Sequence, residues 1–344
     1  MEPRRPERPV PGATSTEDGR GTLGFSQTET AQFTALGYLV KTELLTPDDL
    51  RPLRSALSDI VDRGAKKLHG DGKLASLYEK EGFETRLACI YRESEEAGQV
   101  IMGMIMGRGG GGFSGEAMLA LLRNADLVDC VSDLIGPDIV GASAYRIRPK
   151  IPEHERTEVP WHQDSGYFLP HCDRHLIVTC WIPLVDTNVE NGCLYVIPGA
   201  HESGVFRHYT GGHGGYLEIP GDELPVNKPV PMEMKQGDVL FMTNLTPHAS
   251  FVNRSGIVRW SVDLRYQSMD APNNAEEDPA TYTPERDPVT MACYPSEADF
   301  VIRDSNHPDR EIRTPEAFRE LRDRYHEAKP YNPGRGWTRL KDRE

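Results

Sequence analysis

The stretch from Val159 to Phe168 reads VPWHQDSGYF. His162 and Asp164 stand two residues apart on a β-rich run, walled by Trp161, Tyr167 and Phe168. Alternate side chains of a strand share one face, so this spacing presents an imidazole and a carboxylate to a single point. An ordinary half-buried strand histidine paired with an acid has the same spelling, so the surrounding sequence has to decide between the two.

His-x-Asp occurs four times in the chain, and three of the four do not suit a metal. His69 and Asp71 fall in LHGDGK, a helix exit followed by a turn that would not hold two side chains parallel. His307 and Asp309 enclose Pro308 and have no later β-rich strand to supply a third ligand. His171 and Asp173 lie in PHCDRH, where Cys172 and His175 spell a possible zinc cluster. That segment is polar throughout and immediately precedes the strand HLIVTCWIPL, so it reads as a surface connection.

The pair His162 and Asp164 gains its weight downstream. NLTPHASFVNRSGIVRWSVDLRY places His248 on a late strand, Ser250 two residues on, and then Arg259 and Ser261. Two neutral imidazoles and one carboxylate hold Fe(II) on one face and leave positions open for a chelating 2-oxo acid and for dioxygen. The distal carboxylate of such an acid calls for a planar, permanently charged fork, which is arginine rather than lysine, with hydroxyls completing the hydrogen bonds. Arg259, Ser261 and Ser250 are of that type, and Arg259 is expected to share a β-hairpin with His248. A zinc hydrolase would not require Arg259.

The rest of the chain supplies a frame for such a site. After Pro137 the pattern changes from helical spacing to seven short β-rich runs, IVGASAYRIRP, VPWHQD, LIVTCWIPLV, CLYVIP, DVLFMTN, HASFVN and IVRWSVDLRY, which predict an antiparallel barrel or sandwich. Asn191-Gly192 predicts a tight hairpin turn between two of them. Upstream, Ser26 and Glu29 spell a capping box, Gly37 a left-handed helix cap before a strand, and Thr46-Pro47 the start of a helix reaching about residue 68. Two more helices are expected at about 116–123 and 126–135. The run GRGGGGF at 107–113 lacks the Lys-Ser/Thr of a phosphate loop and reads as a mobile loop. Residues 1–24 read as a disordered tail, with no apolar segment of a signal peptide. A single domain is expected over 25–344, with a barrel core at about 138–268. The acidic, Pro-rich C-terminal extension, 269–344, is expected to carry a helix at 315–328 and to wrap the barrel.

Composition excludes some partners. With 39 basic against 53 acidic side chains, a formal charge of −14, the chain is a poor match for a nucleic-acid backbone, and no run is apolar enough to span a bilayer. Six cysteines without a C-x-x-C pair suggest neither a disulfide framework nor a zinc ribbon and fit a reducing, cytoplasmic setting. A small-molecule substrate fits best.

These segments resemble the phytanoyl-CoA dioxygenase superfamily of Fe(II)- and 2-oxoglutarate-dependent oxygenases over most of the chain. AQFTALGYLVKTELLTPDDL is similar to the family's entrance, WHQDSGYF to its ligand strand, WIPLVDTNVENGCLYVIPGAHESG to its hairpin with Pro-Gly-x-His, and GDVLFMTNLTPHASFVNRS to its second ligand strand. The resemblance implies that His162, Asp164 and His248 ligate iron and that Arg259 anchors the distal carboxylate of 2-oxoglutarate, assisted by Ser261 and Ser250. It also implies that Tyr145 touches the cosubstrate, that Trp181 walls its pocket, and that His201 is structural. The implied fold is mainly β with flanking α, a double-stranded β-helix of the jelly-roll, cupin-like kind, buttressed by N-terminal helices.

The implied reaction couples oxidation of a substrate by O2 to conversion of 2-oxoglutarate into succinate and carbon dioxide. Family members that halogenate carry a small residue at the place of Asp164, so this chain is expected to hydroxylate; desaturation, epoxidation and cyclisation share that chemistry. A non-catalytic β-barrel binding module is the rival from another class, and it has no chemical need for all three ligands and the arginine. Family members act on acyl thioesters, amino acids and secondary metabolites, and the resemblance selects none of these. Arg146, Arg148 and Lys150 share one strand face and are expected at a solvated edge.

Overall fold

The computed structural model describes residues 24–106, 113, 115–142, 145–168, 170–271, 300–328 and 335–343. Nearly all of the expected N-terminal tail, the glycine-rich run at 107–113 except Phe113, and most of the acidic stretch after Asp270 lie outside those residues.

The N-terminal helices begin and end where local chemistry dictates. Helix α1 (Gln27–Leu36) opens with a capping box in which Glu29 N–H donates to Ser26 Oγ and Ser26 N–H donates to the Glu29 carboxylate, at 3.2 and 2.8 Å. It closes at Gly37, whose φ is +78°; a Cβ at that position would lie 2.5 Å from His201 Nδ1, so glycine answers both backbone and space. Strand β1 (Tyr38–Lys41) follows. Helix α2 (Pro47–Gly70) is capped by Thr46 and buries Leu50, Leu53, Leu57, Ile60, Val61 and Leu68 along one stripe. Each such side chain removed from water contributes about 1.5–3 kcal/mol. Helices α3 (Arg86–Glu93), α4 (Glu95–Met106), α5 (Glu116–Leu122) and α6 (Ala125–Ile135) complete the layer.

Among the described residues ten further strands join β1 in two antiparallel sheets. The strands are β2 (Ile139–Gly141), β3 (Arg146–Lys150), β4 (Val159–His162), β5 (Ile177–Pro183), β6 (Leu194–Val196), β7 (Val230–Met232), β8 (Val239–Thr243), β9 (His248–Ser250), β10 (Arg259–Ser268) and β11 (Phe300–Arg303). The larger sheet runs β1-β8-β5-β10-β2-β11, with β3 also paired to β10, and the smaller runs β4-β9-β6-β7. From β4 to β10 the chain passes repeatedly between the sheets, which face each other as an open jelly roll rather than a closed barrel.

Period-two alternation assigns the two faces of the larger sheet. In β10, Trp260, Val262, Leu264 and Tyr266 pack outward into the core shared with the helices, while Arg259, Ser261, Asp263 and Arg265 take the other face. Val178, Cys180 and Ile182 of β5 join that same core, and Thr179 and Trp181 point the opposite way, toward the cavity between the sheets. One strand pattern therefore both fixes the helices and furnishes the cavity.

Two expected hairpins are corrected. Asn191-Gly192 does sit in a tight turn, with reciprocal 2.9 Å bonds between the Asn188 and Asn191 side chains and backbones and Gly192 at φ +77°. That turn does not pair its flanking strands, because β5 belongs to the larger sheet and β6 to the smaller. His248 and Arg259 likewise lie on β9 and β10 in different sheets, so the segment between them carries the chain across the cavity instead of folding back as a hairpin. The solvated edge expected for Arg146, Arg148 and Lys150 is also overturned: Lys150 is 2% exposed and Arg148 lines the cavity, because their strand face is the inner one.

At the C-terminal end, β11 extends the larger sheet beside β2. Helix α7 (Pro315–Ala328) seats Phe318 edge-on against Phe300, with ring centroids 5.2 Å apart. Residues 335–343 return to the smaller sheet's side, where Trp337 Nε1–H donates to the Gly166 carbonyl at 2.8 Å. No helix among the described residues is long and apolar enough to cross a membrane.

Candidate metal centre and anion pocket

His162 ends β4, and a register shift between Val159 and His162 turns both toward the cavity, as β-bulges beside functional sites do. Gln163 keeps an extended backbone, so the next even-spaced residue, Asp164, still points the same way although it already opens a 3-10 turn, Asp164–Tyr167. His248 opens β9 directly opposite His162 in the pairing register. The ligand atoms of His162, Asp164 and His248 lie within 4.8 Å of one another, and all three residues are buried. Among the described residues this is the single such group; His69, Asp71, His307, Asp309 and the PHCDRH segment do not contribute one.

Each histidine is aimed by its own backbone. His162 Nδ1 lies 2.8 Å from the Pro160 carbonyl and His248 Nδ1 3.0 Å from that of Thr246, so Nδ1 carries the proton in both and Nε2 is left as the lone-pair donor. Burial, reinforced for His162 by the neighbouring His248, lowers both pKa values and keeps the rings neutral. The ring centroids are 4.2 Å apart. The Thr246 that orients His248 donates its own hydroxyl to the Gly37 carbonyl at 2.6 Å, which links the α1 terminus to the ligand strand.

Asp164 is ionised for a different reason. Burial opposes its charge, but Arg265 outweighs burial and holds the carboxyl well below the usual carboxylate range. Arg265 donates to Oδ1 at 2.7 Å and to Oδ2 at 3.0 Å, and Thr179 Oγ1–H donates to Oδ2 at 2.5 Å. Asp263 bridges Arg265 and Arg148 at 3.1 and 2.8 Å, so the guanidinium beside the carboxylate is itself compensated.

His162, His248, Ser250, Trp181 and Arg259 line one cavity together with Arg148, Thr179, Asp263 and Arg265. Arg259 is 1% exposed and makes no ion pair among the described residues. It donates to Ser261 Oγ at 2.5 Å, its Nε–H has no partner among the described residues, and its guanidinium lies 5.3 Å from the centre of the Trp181 ring. Burial, with Arg148 nearby, pushes its pKa down to about 10, which still leaves it charged at neutral pH. A buried cation with idle donors is an anion site in waiting. Two imidazoles and a carboxylate suit a divalent iron, and the arginine across the cavity suits a carboxylate.

Tyr145 is placed elsewhere. It is fully buried in the core beside Phe318, its hydroxyl donates to the Phe113 carbonyl at 3.1 Å, and it is not among the residues lining the cavity. His201 bonds the Thr34 carbonyl through Nε2 at 3.0 Å and joins the α1 terminus to the turn that follows β6.

A family model described as phytanoyl-CoA dioxygenase (PhyH) matches residues 33–261. The chain is 32% identical over 114 residues to a phytanoyl-CoA dioxygenase of Arabidopsis thaliana, covering 33% of this chain and 40% of that protein. It is 30% identical over 156 residues to the peroxisomal phytanoyl-CoA dioxygenase of Rattus norvegicus, covering 44% of this chain and 45% of that one. The matches thus span less than half the length of these relatives. Among solved structures, apo ThoJ, a non-heme monooxygenase, shares the fold with a TM-score of 0.55 at 14% identity, over 87% of this chain and 95% of that one.

Proposed function

The chain belongs to the phytanoyl-CoA dioxygenase family, and from that premise we propose that it is an Fe(II)- and 2-oxoglutarate-dependent oxygenase that hydroxylates a small organic molecule. The observation that carries this is the convergence of His162, Asp164 and His248 at a cavity that also holds buried Arg259, which makes no ion pair among the described residues. Iron bound by the three ligands would supply the activation of dioxygen, coupled to decarboxylation of 2-oxoglutarate to succinate and carbon dioxide.

The chain's own residues have separable tasks in this proposal. His162 and His248 give neutral nitrogen donors and Asp164 one negative charge. Arg259 receives the distal carboxylate of 2-oxoglutarate, with Ser261 fixing the guanidinium and Ser250 on the facing strand supplying a hydroxyl. Trp181 covers the guanidinium and excludes water from that end, which strengthens the ion pair formed there. Because a carboxylate occupies the third ligand position, hydroxylation rather than halogenation follows.

Aerobic incubation of the purified chain with Fe(II), 2-oxoglutarate and isotopically heavy dioxygen tests this against a panel of acyl thioesters, amino acids and other carboxylic acids. The expected outcome is succinate formation together with one labelled oxygen atom in a panel member. Succinate no higher than in a His162→Ala control across the panel would count against it, and so would a reaction that proceeds without 2-oxoglutarate.

A further inference from the structure

Asp164 has two oxygens and therefore four lone pairs, and the structure uses three of them. Oδ2 accepts from Thr179 Oγ1–H and from Arg265 Nε–H, at 2.5 and 3.0 Å. Among the described residues Oδ1 accepts only from an Arg265 terminal N–H, at 2.7 Å. We propose that Arg265, with Thr179, is a positioning element that makes Asp164 a one-point ligand, offering a metal only the remaining lone pair of Oδ1. This rests on the iron reading given above and deepens it by assigning residues that never touch the metal.

The consequence concerns the number of open positions. A site with two histidines and one carboxylate oxygen leaves half of an octahedron for a chelating 2-oxo acid and dioxygen. A carboxylate binding through both oxygens would remove one of those positions. The bidentate fork of Arg265 fits this task because its two parallel donors fix the carboxylate's plane, which an ammonium would not.

A cation this close to a metal site also repels the metal, so its presence needs a reason. Asp263 accepts from Arg265 at 3.1 Å and shares its charge, and Arg148 completes the chain by donating to the other Asp263 oxygen at 2.8 Å. The outcome is an alternating row of half-buried Arg148 and buried Asp263, Arg265 and Asp164, in which orientation is obtained with little net positive charge at the ligand. All four side chains sit at even spacing on inner strand faces or at the ligand turn, so the row is a product of strand period.

The test uses the full chain and Co(II) as probe, whose visible spectrum reports coordination directly. Arg265→Met is expected to alter the visible band of the Co(II) protein and to weaken Co(II) binding by about tenfold to a hundredfold, as loss of groups that orient metal ligands does. Arg265→Lys keeps the charge but not the fork, and is expected to give an altered band as well. Thr179→Val is expected to shift the band in the same direction by less. Should Arg265→Met fail to fold, the lysine and valine variants decide on the same readout. A wild-type band in Arg265→Lys, or in all variants that fold, overturns the proposal. Absence of Co(II) binding in the wild-type chain instead overturns the metal site itself, so the two failures are distinguishable.

Discussion

The guanidinium of Arg259 lies 5.3 Å from the centre of the Trp181 ring, on a neighbouring strand of the same sheet, and no carboxylate among the described residues pairs with it. A cation stripped of water and left without an acid is costly, so the fold holds it there at the expense of stability. We predict that Arg259→Leu raises the Kd of 2-oxoglutarate by roughly thirtyfold or more, corresponding to about 2–5 kcal/mol for a buried charge pair broken on one side. Metal affinity should stay within about twofold. Calorimetric titration of the metal-loaded chain reads both, and an unchanged cosubstrate affinity would show that another group is the anchor.

His162 and His201 separate ligation from architecture. His162→Ala removes a donor from a three-residue group and should abolish measurable Fe(II) binding. His201→Ala breaks a 3.0 Å bond to the Thr34 carbonyl and should cost about 1 kcal/mol of stability with metal affinity intact. Metal titration beside denaturant unfolding distinguishes the two profiles.

Tyr145 was expected at the cosubstrate and sits in the core instead, its hydroxyl on the Phe113 carbonyl. Tyr145→Phe should therefore lower stability by about 1 kcal/mol and leave 2-oxoglutarate affinity within about twofold. A tenfold loss of affinity would return it to the pocket.

His208 gives the chain a pH-dependent stability. Its Nε2 accepts the Gln163 N–H at 2.9 Å and its Nδ1 bonds the Phe206 carbonyl at 2.8 Å, a pattern available only to the neutral ring. Burial first, and then the nearby Arg335 and His248, push its pKa down to about 4 from an ordinary value of 6.5. The unfolded chain binds the proton first, so the contribution is complete above about pH 6.5 and is lost as pH falls toward about 4, amounting to about 3 kcal/mol. Unfolding curves of wild type and His208→Gln should converge by that amount over this range, and parallel curves would contradict the assignment.

The sequence made some of this visible and hid the rest for physical reasons. Helix limits followed from local chemistry: the capping boxes at Ser26 and Thr46 and the glycine at 37 act within one turn of chain, and α7 fell at residues 315–328 as expected. The seven expected β-runs all carry strands, whereas β7 and β11 are short and were not anticipated. Which sheet a strand joins is a long-range matter, so the Asn191-Gly192 turn looked like a hairpin when it is a crossing. At the site, His162, Asp164, His248, Arg259 and Ser250 lie together as their pattern along the chain suggested, and Trp181 lies beside them as the resemblance implied. Arg265 and Asp263 were not singled out, although period-two alternation along β10 puts them on the same face as Arg259 and Ser261. Thr179 and His208 carried no local signal, because their partners are fixed only by the folded chain.

The central claim is that three side chains and one arginine assemble a site for Fe(II) chelated by a 2-oxo acid. Anaerobic addition of Fe(II) and then 2-oxoglutarate to the chain, followed by visible absorption, tests it most directly. The account predicts a weak metal-to-ligand charge-transfer band that appears only when both are present and is absent in His162→Ala. A flat spectrum in the wild-type chain at saturating Fe(II) and 2-oxoglutarate would contradict it.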